Sequence, residues 1–180
     1  MNKSNQTEIK DFLNESYLKF NQKSFIENDP ISIPHRFTKK EDIEIAAFLT
    51  STISWGNRKS IINNANKLML LMDDSPYEFI SNHSKSDLKP MLKFVHRTFN
   101  GIDCTFFIQS LQNIYKNKGG LESTFNGEDN SGAKERIINF RNTFLKTKHL
   151  KRSEKHISNP DTNSSSKRLC MFMRVIRVVY

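Results

Sequence analysis

Apolar residues recur at helical spacing along most of the chain and are densest between Thr38 and Met72. Ile43, Ile45, Ala46, Ala47, Phe48, Leu49 and Ile53 cover more than one helical face, which requires burial on several sides and predicts a central helix. Thr38 and Glu41 stand at capping-box spacing at its start, where a hydroxyl and a carboxylate each satisfy a free backbone donor. The pattern breaks at Ser54-Trp55-Gly56-Asn57, with Gly56 suited to a left-handed helix end. It resumes with Ile61, Ala65, Leu68 and Met72 at i, i+4, i+7 and i+11, opposite Asn63, Asn64 and Lys67, as an amphipathic helix. The joint gathers Trp55, Asn57, Arg58, Lys59 and Ser60: an aromatic ring, cations and free backbone donors at a helix N-terminus, a set that suits an anion. A core tryptophan beside a solvated turn explains the same residues without a ligand.

Ile9, Phe12, Leu13, Tyr17 and Phe20 form one face of a first helix, with Asn5 as its cap. Two prolines in residues 28–37 forbid a regular helix and favour extended backbone before each ring, predicting a rigid connector. His35 and Arg36 within it either meet a phosphate or cap the central helix. Ser75-Pro76 restarts the chain in a short helix with Tyr77, Phe79 and Ile80, and Ser86 begins another through Leu88, Met91, Leu92 and Phe94. His96 to Gly101 reads as a loop turned at Asn100-Gly101, with His96 and Arg97 as a phosphate contact or an ordinary surface pair. A helix with Phe107, Leu111 and Ile114 follows and ends at Gly119-Gly120.

Leu121 to Phe125 permits one turn, and Asn126 to Gly132 is a polar loop. Ile137, Phe140 and Phe144 then face away from Lys134, Arg136, Arg141, Lys146 and Lys148 on a basic helix. Residues 149–163 hold few apolar side chains and predict a connector across the surface. One of Ser164, Ser165 and Ser166 caps a last helix carrying Lys167, Arg168, Leu169, Met171, Phe172 and Arg174. The fold class is all-α, a multi-helix globular domain. It divides into an N-terminal helix at 1–24, a helical core at 25–148 and a basic connector with a last helix at 149–180.

A chain of 180 residues can bury a sizeable core, and its 14 Phe supply much of one. No apolar run approaches the roughly 20 residues of a membrane helix, and Met1 to Gln6 lacks the apolar segment of a signal peptide. The expectation is a cytoplasmic protein without a membrane partner. Cys104 and Cys170 lack CxxC spacing and read as reduced, buried thiols. Residues 1–133 carry 16 Lys+Arg against 16 Asp+Glu, whereas 134–180 carry 12 against 3, so the net +9 lies at the end of the chain. That asymmetry points to a polyanionic partner, nucleic acid and DNA first; a basic surface kept for solubility is the alternative.

The glycines do not form a P-loop or Rossmann fingerprint, and no GxSxG elbow occurs. The five histidines show no i, i+4 pairing, so no metal is expected. Asp42 with Glu44 and Asp73 with Asp74 are explained by helix-end charge. Lys167 stands apart: at the start of a helix with Leu169, Met171 and Phe172, partial burial, the helix N-terminus and Arg168 would lower its amine pKa and favour nucleophilic attack. An exposed lysine or a phosphate contact is the plainer reading.

Several motifs are familiar as a set: Asn28-Asp29-Pro30 through Pro34-His35-Arg36-Phe37, Asp42-Ile43-Glu44-Ile45-Ala46-Ala47-Phe48, Trp55-Gly56-Asn57-Arg58-Lys59-Ser60-Ile61, His96-Arg97-Thr98-Phe99 and Ser166-Lys167-Arg168-Leu169. Together they resemble an uncharacterised bacterial family of unknown function, over most of the chain from about Phe25 to Arg174. Full-length members of that family look similar to the helix-hairpin-helix DNA glycosylases, all-helical base-excision enzymes that act on a flipped base. The resemblance implies a glycosylase/lyase-like fold in which the joint faces DNA and a lysine opening a helix attacks the sugar C1′, assisted by a downstream aspartate. It matches Lys167 to that nucleophile, Trp55 and Asn57 to the base pocket, and Arg58, Lys59, Arg97, Lys155 and Arg168 to phosphate contacts, with no cofactor.

Two departures bear on this. The family continues through a Leu-Asp-Val-His-like segment bearing the aspartate. Where its pattern leads to an Arg-Trp-Met-Val-Arg-like run, this chain reads Met173-Arg174-Val175-Ile176-Arg177-Val178-Val179-Tyr180. The expectation is a truncated domain lacking its last helices, inactive and exposing apolar surface around Phe172. Two other functions fit the residues: a non-catalytic DNA- or RNA-binding helical protein, and a helical interaction module whose basic end meets an acidic protein.

Overall fold

The computed structural model describes residues 3–125 and 131–179. Its helices in chain order are α1 (Lys3–Phe20), α2 (Lys23–Ile26), α3 (Lys40–Thr52), α4 (Arg58–Leu70), α5 (Pro76–Asn82), α6 (Gly101–Lys118), α7 (Leu121–Phe125), α8 (Ala133–Phe144) and α9 (Lys167–Val179). Between α5 and α6 an antiparallel hairpin pairs β1 (Val95–His96) with β2 (Phe99–Asn100). Short 3-10 turns lie at Pro30–Ser32, Pro34–Arg36, Pro90–Lys93, Lys151–His156 and Pro160–Thr162, and the domain is all-α as its periodicity predicts. No helix among the described residues is long and apolar enough to cross a membrane.

The core is built around α3, whose residues Ile43 through Thr52 are all buried. α9, α5, α4 and the turn Pro34–Arg36 pack around it. At its centre the Phe48 ring meets Phe107, Phe140, Phe144 and Phe172 at centroid separations of 5.4–5.9 Å. Pairs of this kind contribute about 0.5–1.5 kcal/mol each beyond area burial, so one side chain ties α6, α8 and α9 to the central helix. Phe172 itself is fully buried against Phe48 and Phe125, while Met171 beside it is 37 % exposed. More apolar area is exposed on α1, where Phe12, Leu13, Tyr17, Leu18 and Phe20 are all more than half exposed.

Several local expectations are corrected. α3 is capped by Lys39 without a side-chain bond, so Thr38 and Glu41 do not form the box; Glu41 and Asp42 occupy its first turn, where acidic charge is favourable. Asp42 Oδ1 accepts from the Tyr77 N–H at 2.8 Å, across to α5. Asn5 lies inside α1 rather than capping it. Ile33 is α-helical, not extended, before Pro34, because burying it against α3 outweighs the pre-proline preference.

The helix expected from Ser86 is a 3-10 turn at Pro90–Lys93. Asn100 opens α6 instead of a turn: its Oδ1 accepts from the Ile102 and Asp103 N–H groups, and Asp103 Oδ2 accepts from the Asn100 N–H. Residues 149–163 do not merely cross the surface, because Ser153, His156 and Ile157 are buried. Cys104 is buried, its thiol pushed up to about 12 by burial, whereas Cys170 is exposed. Of the expected loop at 126–132, residues 126–130 lie outside the described residues.

Glu44 is not a helix-end surface charge. It is 2 % exposed, accepts from the Tyr115 hydroxyl at 2.7 Å, and has its carboxyl pushed up by burial.

Candidate functional site

The chain leaves α3 at Thr52 and enters α4 at Arg58 through a turn that needs Gly56. Gly56 has φ +104°, and a Cβ there would come within 2.9 Å of Arg97 Nη1, so the hairpin arginine lies against a bare backbone. Asn57 N-caps α4, its Oδ1 accepting from the Ser60 N–H at 3.2 Å. Its side chain is committed to the helix end, whereas the resemblance assigned it to a base pocket.

Trp55 turns inward, toward the hairpin. His96 packs edge-on against it at 5.1 Å and donates from Nε2 to the Trp55 carbonyl at 3.2 Å. His156 lies nearly parallel to the indole at 6.0 Å, and the Arg168 guanidinium sits 4.8 Å from its centroid. Arg168 also donates to the Thr52 carbonyl oxygen at the end of α3, where a cation complements the helix dipole. Together these contacts pin α9 to the joint.

Behind Trp55 lies Asp103, fully buried. Burial alone would raise its carboxyl. The Ser153 hydroxyl at 2.5 Å, the Asn100 N–H at 3.0 Å and the adjacent His156 and Arg152 outweigh burial and hold it below the usual range. Arg152 donates from Nη1 to both Asp103 oxygens at 3.0 and 2.9 Å and from Nη2 to the Thr98 carbonyl. His156 Nε2 lies 3.3 Å from Asp103 Oδ2, too poorly aligned for a full hydrogen bond. Burial pushes that imidazole down to about 4.

The opposite side of the joint opens into a groove of about 940 Å³. Its floor is α3, with Ala47, Thr50 and Ser51, continued by Ser54 of the joint; Arg58 enters from α4, Lys167 and Arg174 from α9, and Tyr17 and Phe20 from α1. The Ser51 and Ser54 hydroxyls donate back to the Phe48 and Thr50 carbonyls at 2.9 and 2.7 Å. Thr50 Oγ1 is buried and has no hydrogen-bond partner among the described residues. Asp29 lies at the rim, 3.9 Å from Arg58.

The residues singled out in the sequence therefore divide. Lys167, Arg58 and the Gly56 backbone share the groove. Trp55 and Arg168 are brought together on its far side, with Arg97 beside Gly56. Lys59 is exposed on the first turn of α4, and Lys155 is exposed on the turn Lys151–His156; neither lines the groove. The partial burial expected of Lys167 is not found, because the residue is exposed.

Asp103, Ser153, His156 and Thr50 escaped the sequence reading. Only Asp103 carried a signal, its capping spacing from Asn100. Among the described residues no group of three or more His, Cys, Asp or Glu could hold a metal ion.

Fold and site thus define an all-α domain with a basic groove beside a helix–turn–helix joint. The chain belongs to a protein family of unknown function, DUF2400, whose profile matches residues 29–177. No curated protein and no solved structure matches the chain.

Proposed function

We propose that this chain is a DNA-binding protein of the glycosylase/lyase type, reading DNA through the groove with Lys167 as its nucleophile. The observation that carries the reading is the shared groove: Lys167 at the start of α9 stands over the same α3 floor as Ser54, Gly56 and Arg58 of the joint. Its position is fixed by its neighbour, since Arg168 is held by the Thr52 carbonyl and the Trp55 ring. Arg58, Lys59 and Arg97 are the phosphate contacts of this reading. Trp55 and Asn57 set the shape of the joint, and Lys155 belongs to the wider basic surface.

In the chemistry implied, the deprotonated lysine amine forms a bond to the sugar C1′ as the C1′–N glycosidic bond breaks. The base leaves with the bonding electrons and takes up a proton. The amine sheds its proton as the sugar ring opens to a Schiff base, which borohydride reduces to a stable adduct. None of these steps requires a cofactor.

Borohydride trapping on duplexes bearing damaged bases tests the reading. A covalent adduct is expected, and Lys167→Ala should abolish it; absence of an adduct both here and in a longer member of the family would sink the proposal. The exposure of Lys167 favours a second reading, a non-catalytic binder in which it meets phosphate. In that case Lys167→Ala weakens binding and flattens its salt dependence, with no adduct at any salt concentration.

A further inference from the structure

One wall of the groove is made by α1 and α2, which lie outside the family's matched residues 29–177. It brings Tyr17, Phe20 and Phe25 to the opening. Tyr17 remains 57 % and Phe20 51 % exposed. The rings alternate with cations: Phe20 meets Phe25 edge-on at 5.7 Å, Lys19 Nζ lies 5.4 Å from the Phe20 centroid, and the Arg58 guanidinium lies 5.5 Å from that of Phe25. Lys23, Arg58, Lys167 and Arg174 line the groove against a single carboxylate, Asp29, among the described residues. On the floor, Thr50 is 4 % exposed and its hydroxyl lacks a hydrogen-bond partner among those residues.

Positive charge alone suits any polyanion; the exposed rings narrow the choice. Bases in an intact duplex are stacked on one another, and a protein meets phosphates and groove edges. In an unpaired strand each base has a free π face for an aromatic ring and free edges for hydrogen bonds. We infer that the groove takes single-stranded or locally unpaired DNA. Its phosphates lie on Arg58, Lys167 and Arg174, and its bases stack along Tyr17 and Phe20. The inference rests on the nucleic-acid reading of the groove, not on Lys167 acting as a nucleophile.

Fluorescence anisotropy with fluorescein-labelled oligothymidylate and a blunt duplex of equal length tests it. The single strand should bind at least about fivefold tighter. Tyr17→Ala/Phe20→Ala should lower single-strand affinity by about fivefold or more per ring and leave duplex affinity unchanged. Tyr17→Leu/Phe20→Leu keeps the apolar volume without a π face and should show the same loss, with an unchanged melting temperature. Equal affinity for the two probes, or unchanged single-strand binding in both double variants, overturns the inference. Absence of binding to either probe removes the nucleic-acid reading with it. A single-strand preference without a trapped adduct leaves the inference standing and removes only the catalytic step.

Discussion

On the hairpin side of the α3–α4 joint, Asp103 collects hydrogen bonds from Ser153, Asn100 and Arg152 beside two histidines packed on Trp55. On the groove side of the same α3 segment, Thr50 holds a buried hydroxyl without a partner among the described residues, and Lys167 and Arg174 stand exposed over it. One face spends its charge on structure and the other keeps it available. The arginines of the basic end show the same division. Arg168 is bound to the fold at the joint, Arg152 to Asp103 and the Thr98 carbonyl at the hairpin, and Arg141 to Glu154 and backbone carbonyls, whereas the side chains of Lys146, Lys148, Lys151, Lys155, Lys167 and Arg174 are exposed. Net charge therefore overstates what the chain offers a polyanion, and of these exposed cations Lys167 and Arg174 stand at the groove.

The sharpest break in this contrast is Asp103→Ala. The substitution removes the acceptor shared by Ser153, Asn100 and Arg152, whose hydrogen bonds to the charged carboxylate contribute about 1.5–3 kcal/mol each, so the total loss is on the order of 3–5 kcal/mol. Urea denaturation should show that loss. A loss below about 1 kcal/mol would mean that the network is ornamental and the two faces are not different in kind.

The next effect is pH dependence. Burial pushes the His156 imidazole from 6.5 down to about 4, so the folded chain keeps it neutral where the unfolded chain protonates it. Its contribution is fully present above pH 6.5 and is lost as pH falls toward 4, on the order of 3 kcal/mol in total. His96, also pushed down by burial, acts in the same direction. Asp103, held below its ordinary 3.8, gives up its own contribution only in stronger acid. Denaturation midpoints should therefore fall between pH 6.5 and 4, and His156→Gln should flatten that slope. Glu44, pushed up by burial, acts in the opposite direction, so the decisive comparison is with the variant: a pH slope unchanged by His156→Gln would show that the histidine is not held neutral.

The helical half of this architecture was legible because it rests on periodicity. The run from Ile43 to Ile53 demanded burial on several sides, and Ile61, Ala65, Leu68 and Met72 demanded one face. The joint between them was visible as a break. The hairpin side was not, because its burial is polar: Ser153 and His156 look like surface residues until Asp103, about fifty positions earlier, supplies their partner. The hairpin turns at Arg97 with φ +54° and without a glycine or asparagine in the loop, so no turn signal marked it. Whether an arginine ends up paired or free depends on tertiary neighbours, and composition sums the two kinds together. On the groove side Lys167 was singled out for a burial it lacks, and Thr50 was passed over because a threonine inside a helix carries no signal of an unsatisfied hydroxyl.

The finest test of the contrast is Thr50→Val, which exchanges a hydroxyl for a methyl at nearly constant shape. A buried hydroxyl without a partner costs free energy in the folded state, so removing it should raise stability by about 1 kcal/mol. If the groove reserves that hydroxyl for a ligand, single-strand DNA affinity should fall by about fivefold, the value of one net hydrogen bond. The two changes then run in opposite directions, and thermal melting and anisotropy on one variant read both. Loss of stability would show that Thr50 is already bonded in the fold, making the groove floor as satisfied as the hairpin side. Gain of stability with unchanged affinity would leave an orphan hydroxyl that serves no ligand, and the cations and rings around it would have to account for binding alone.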